Sequence, residues 1–174
     1  MTFSMAARAA SRSALCIILV LMTLSAKAAV FNESDISRIT DIGEAITTLE
    51  DDVSRSMHNL PPDDPEQIEA YSYVELNLEA AQERLNSIFL LMAVSMFMEA
   101  SSDQLQIVNL MYLQILPQSK TYLSKKSDAI ASMAASHPGN GEFATYRTRA
   151  AAILADRAVP LLDELYRKIG ALRQ

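Results

Sequence analysis

Residues 34–65 read SDISRITDIGEAITTLEDDVSRSMHNLPPDDP. In this stretch Ile36, Ile39, Ile42, Ile46, Leu49, Val53, Met57 and Leu60 recur every three or four positions, with polar residues between them. That spacing places all eight on one side of an α-helix and is incompatible with a strand, whose period is two. Asn32 and Ser34 offer N-caps, and Asp35 puts a negative charge against the positive end of the helix dipole. Pro61-Pro62 ends the helix, since proline forces its predecessor out of the helical region. Asp64 followed by Pro65 starts the next, as N-cap and first helical residue. The first helix is therefore predicted over about residues 34–59.

The same reading extends down the chain. A second helix, to about residue 100, carries Ile68, Tyr71, Val74, Leu78, Ala81, Leu85, Phe89, Met92 and Met96 at helical spacing. Ser101 and Gln104 have capping-box spacing and open a third helix with Leu105, Val108, Met111, Tyr112, Ile115, Tyr122, Ile130 and Met133. His137-Pro138-Gly139-Asn140-Gly141 is a turn signal. A fourth helix follows with Phe143, Tyr146, Ala150, Ile153, Ala158, Leu161, Leu165, Ile169 and Leu172, and Gly170 is its candidate cap. Only four glycines occur, too few for the tight turns of a β-rich fold. The expectation is an all-α, up-down-up-down four-helix bundle of long antiparallel helices joined by short connections, the last three each about 50 Å long.

The segment before the bundle reads differently. Arg8 and Arg12 precede an uncharged apolar run, residues 14–24, and Ala26-Lys27-Ala28 closes it. Positive residues, a short apolar core and a small-residue box are the order of a secretory signal peptide. A run of eleven residues is too short for a membrane span, which takes about 20. Residues 1–28 are thus expected to be a cleaved signal and residues 29–174 a single helical bundle domain, periplasmic or secreted. A membrane contact is expected only if the signal stays uncleaved.

Cleavage removes Cys16, the only cysteine, so the mature chain has no disulfide, thiolate metal site or cysteine nucleophile. It also takes three positive charges and no negative ones from a net −6, leaving −9. That charge disfavours nucleic acid, whose binding rests on neutralising phosphates.

Four groups of residues are candidates for function. Residues 85–98 contain no charge, so apolar character spreads all round the second helix. Ile88, Leu91 and Met98 are the candidate residues for binding a protein partner or a second copy of the chain. Pro117 and Pro160 each remove a helical hydrogen bond, and two bends facing each other would open a pocket lined by Asn86, Tyr112 and Ile115. His58 and His137 fall at the same end of an up-down bundle and form a candidate metal or haem site, although a histidine at a helix C-terminus is also what the dipole favours. Met92, Met96, Met98 and Met111 could hold copper, but methionine is equally a core filler.

Catalysis finds little footing. No glycine-flanked serine forms a nucleophile elbow, and the acidic pairs Asp51-Asp52 and Asp63-Asp64 do not face one site. No cofactor motif is present. The reading is a non-enzymatic exported protein that works by binding through an apolar helix face. The alternative is a small-ligand or metal-binding bundle.

Overall fold

A computed structural model of the chain describes residues 30–61, 64–97, 102–136 and 141–171. It is all-helical, a four-helix fold with no strand among the described residues. Helix α1 is Glu33–His58, α2 is Pro65–Phe97 and α3 is Ser102–Ser136. The fourth rod begins as α4, Gly141–Ala152, passes through a π-helical segment, Ile153–Ala158, and continues as α5, Val159–Ala171.

The helix starts follow from their caps. Asn32, not Ser34, caps α1: its Oδ1 accepts from the Asp35 N–H at 3.0 Å, and the Asp35 carboxylate accepts from the Asn32 N–H at 3.0 Å. Two orphan donors are satisfied reciprocally. Asp64 caps α2 through its carboxylate alone, accepting from the Gln67 N–H at 3.1 Å and from the Gln67 side-chain amide at 2.6 Å, while its own N–H donates to the Pro61 carbonyl. The fourth rod passes through Gly170 to Ala171 without a stop there.

The stripe of α1 is the core. Ile36, Ile39, Ile42, Ile46, Leu49 and Val53 are all buried, each contributing about 1.5–3 kcal/mol by leaving water. They meet Tyr71, Val74, Leu78, Ala81, Leu85, Phe89 and Met92 of α2 and the buried residues of α3, α4 and α5 in one core. Gly43 lets α2 come close: a Cβ there would sit 3.2 Å from the Gln82 amide nitrogen.

The stripe of α3 differs from expectation. Met111 and Tyr122 are exposed, and the buried line runs Tyr112, Leu116, Ser119, Leu123, Ser127 and Ile130. Two serines in that line obscure its period. Both are satisfied: Ser119 donates to the Ile115 carbonyl at 2.7 Å and accepts from Arg84 Nε at 2.7 Å, and Ser127 donates to the Ala151 carbonyl at 2.9 Å.

The two helical prolines act differently. α3 runs on through Pro117. Pro160 coincides with the π segment. Its missing N–H would have bonded the Asp156 carbonyl, and its ring would crowd that carbonyl. The extra residue in the turn relieves the crowding, and the Val159 N–H bonds back five residues to the Leu154 carbonyl. Core positions Ala150, Leu154 and Ala158 then continue as Leu161, Leu165 and Ile169.

Polar contacts tie the rods together. The buried Asp35 carboxylate takes the Lys168 ammonium, and Arg38 makes a two-pronged pair with Glu164 at 2.7 and 2.9 Å. At the other end of α1, Ser56 meets Tyr146 Oη at 2.9 Å and Glu142 at 3.0 Å. Lys120 of α3 bonds Asp163 of α5 at 2.5 Å. Aromatic contacts close both ends, Phe31 edge-on to Tyr112 at 4.8 Å and Tyr71 against Phe143 at 4.9 Å.

Candidate interaction surface

The sides on which α2 and α3 face each other are set by two hydrogen bonds. Arg84 Nε donates to Ser119 Oγ, and Tyr112 Oη donates to Ser95 Oγ at 3.1 Å. Successive helical residues are rotated by about 100°. Val94 precedes Ser95 by one position and Met111 precedes Tyr112 by one. Leu90 and Ile107 precede the same two residues by five. All four therefore turn to one side of the α2–α3 contact. Met92, Phe89, Leu116 and Leu123 turn to the other, which is the core.

The outward side stays in water. Leu90 is 47% exposed, Val94 57%, Ile107 59%, Leu110 47% and Met111 45%. Five large apolar side chains, each about half exposed, leave roughly 400–500 Å² of apolar surface, the size of the largest patch on an ordinary monomer, which is often a functional one. The surrounding sequence carries no charge: residues 85–98 and 104–119 contain no Asp, Glu, Lys or Arg. Further along the same outer side, away from the α2–α3 connection, Glu83 and Lys125 are exposed.

Of the three residues expected to bind a partner, Ile88 is fully buried, since it lies between the α3-facing and core-facing sides of α2. Leu91 is half-buried beside the outer face. Met98 lies outside the described residues. Leu90, Val94, Ile107 and Leu110 of the exposed face were not singled out from sequence, and Met111 was assigned to the core stripe and to a copper site. The signal that could have found them is the uncharged run on α3, which mirrors the one on α2.

The expected pocket residues differ in their exposure. Tyr112 is buried, with its ring against Phe31 and its hydroxyl on Ser95. Burial pushes its pKa up to about 12, against the smaller opposing effect of the Ser95 hydrogen bond. Asn86, Ile115 and Pro117 are half-buried, and Pro160 is exposed. An open groove lies elsewhere, between Ala45 and Thr48 of α1 and Arg149, Ile153, Asp156 and Arg157 of the fourth rod.

His58 is exposed at the end of α1, its Nδ1 2.6 Å from the Ser54 carbonyl. His137 lies outside the described residues. Among the described residues no three His, Cys, Asp or Glu side chains are grouped to hold a metal ion. Met92 is in the core, whereas Met111 is on the outer face. No described helix is long and apolar enough to cross a membrane.

No family model, no curated protein and no solved structure matches this chain.

Proposed function

We propose that the chain is an exported helical protein that acts by binding a protein partner, without catalysis, through the outer face of α2 and α3. The observation that carries this reading is the face itself: Leu90, Val94, Ile107, Leu110 and Met111 in water, in two helical segments without a charge. Helix packing buries such a face readily, because ridges of one helix seat in the grooves of two. The net charge of −6 argues against nucleic acid as the partner.

The up-down-up-down arrangement has the support of the cross-helix contacts. Along each contacting pair, residue numbers rise on one helix as they fall on the other: Arg84 to Ser119 and Ser95 to Tyr112, Lys120 to Asp163 and Ser127 to Ala151, Asp35 to Lys168 and Ser56 to Glu142. Export rests on the order of Arg8, Arg12, the apolar run and Ala26-Lys27-Ala28. A periplasmic or secreted location follows from it, and Edman sequencing of the exported product is expected to begin at Ala29.

Photocrosslinking in the producing cell tests the binding face. With a benzophenone amino acid in place of Ile107, the full chain is expected to give an adduct of defined mass, which Val94→Glu removes. The same group in place of Glu44, exposed on α1, should give none. An Ile107 position that stays unlinked refutes the proposal.

A further inference from the structure

We infer that the partner is a second copy of this chain, paired about a two-fold axis that runs along the helices, so that α2 of each copy packs on α3 of the other. This rests on the reading of the outer face as a binding surface and commits it to one occupant.

Two independent features lead there. The first is area. The exposed apolar side chains leave roughly 400–500 Å² on one copy, so pairing buries roughly twice that. The exposed Gln114, Gln118 and Tyr122 alongside them carry the total past the about 1,000 Å² that a specific interface needs. A two-fold interface uses the same patch on both copies. An acidic chain that pairs with itself must bring a neutral patch to the contact, and this one does.

The second feature is charge complementarity beyond the apolar end. Ser95 and Tyr112 mark one level across the α2–α3 pair. Glu83 lies twelve residues from Ser95 and Lys125 thirteen from Tyr112, both in the direction away from the α2–α3 connection. At 1.5 Å per residue they sit about 18 and 20 Å below that level. At about 100° per residue both fall on the same outward side as Leu90 and Ile107. The proposed axis therefore sets Glu83 of each copy against Lys125 of the other, twice. The same axis sets Val94 against Met111. Neither Glu83 nor Lys125 is held in an ion pair within the described residues.

The test uses the full chain, purified and sized by light scattering after gel filtration. A mass of two copies is expected, and Val94→Glu should give a monomer with unchanged circular dichroism. Glu83→Lys alone and Lys125→Glu alone should each weaken the dimer about fivefold or more at low salt. The two together in one chain should restore it to within about twofold, because the pair is re-formed with its signs exchanged. A benzophenone at Met111 should label α2 of a second copy.

A monomer at about 100 μM, where a micromolar dimer would be almost fully formed, overturns the inference. So does a dimer that survives Val94→Glu, or a Met111 adduct to lipid or to residues 14–24 of its own chain. If the purified chain is monomeric while Ile107 still links to a different protein in the cell, only the second copy is refuted. If Ile107 links to nothing, the binding face falls as well.

Discussion

Replacing Tyr112 with Phe tests whether the end of the bundle near the α2–α3 connection is packed and dry. The ring should keep its edge-on contact with Phe31, so the substitution removes a hydroxyl and little else. At neutral pH the loss is one hydrogen bond to Ser95. Ser95 keeps its own bond to the Met92 carbonyl at 2.8 Å, so no donor is orphaned and the cost is about 1 kcal/mol. The alkaline limb adds a second effect. In the unfolded chain the phenol ionises near pH 10, and in the fold burial raises its pKa to about 12.

Between those values the unfolded state has released a proton that the folded state still holds, so stability falls as pH rises. The term is absent below about pH 10, reaches about 1.4 kcal/mol by pH 11 and grows further up to pH 12. The variant has no such term, and every other tyrosine and lysine titrates in both proteins and cancels in the comparison. Urea unfolding followed by circular dichroism should place the variant midpoint about 0.5 M below wild type at pH 7, taking a slope of about 2 kcal/mol/M. The two midpoints should meet near pH 11. A gap that stays constant from pH 7 to 11 would mean that the phenol titrates as it does in water, and the dry packing of Phe31 on Tyr112 would be refuted.

Three further outcomes check other parts of the fold. Ile46→Ala, at a position with no exposure in the middle of α1, should cost about 2–5 kcal/mol in chemical denaturation. Asp35→Asn leaves the Lys168 ammonium without its buried carboxylate. A double-mutant cycle with Lys168→Met should return a coupling of about 1–2 kcal/mol, toward the lower side for a buried pair because Lys168 is partly exposed. At low pH the Arg38 hydrogen bond holds the Glu164 carboxyl below its usual range. The pair therefore stabilises the fold above the ordinary carboxylate pKa, and its contribution is lost as pH falls through the lowered value. Arg38→Met should flatten that part of the acid-unfolding curve slightly, the pair being largely exposed.

The four helices were legible because their signals are local. A capping residue, a proline pair or a stripe of isoleucines acts within one or two turns, and Asp64-Pro65 marks the start of α2 without reference to anything distant. The line of α3 was not legible. Its core face includes Ser119 and Ser127, which are tolerated because Arg84, the Ile115 carbonyl and the Ala151 carbonyl satisfy them. Two of those three partners sit on other helices, so no window of α3 sequence contains them. The π segment escaped for a related reason. Pro160 predicts a disturbance, but whether the helix bends or widens is decided by which option keeps Leu161, Leu165 and Ile169 in the core.

The outer face is the instructive case. Residues 85–98 carry no charge on any side and only Asn86, Ser87 and Ser95 as polar residues, so their hydropathy does not say which flank is buried. The partner helix decides it: once Ser95 meets Tyr112, Ile88 must go inward and Leu90 and Val94 outward. Burial alone does not explain why the outward flank is apolar. The inner flank meets the packing requirement, and an exposed flank is free to carry charge. At the overall proportion of 21% charged residues, the thirty positions of 85–98 and 104–119 would carry about six charges, and they carry none. The charges resume at Glu99 and at Lys120, immediately beyond those segments. A pattern confined to the facing parts of two helices, and extending to the sides that water touches, is what the proposed second contact would require of this surface in addition to the folded core.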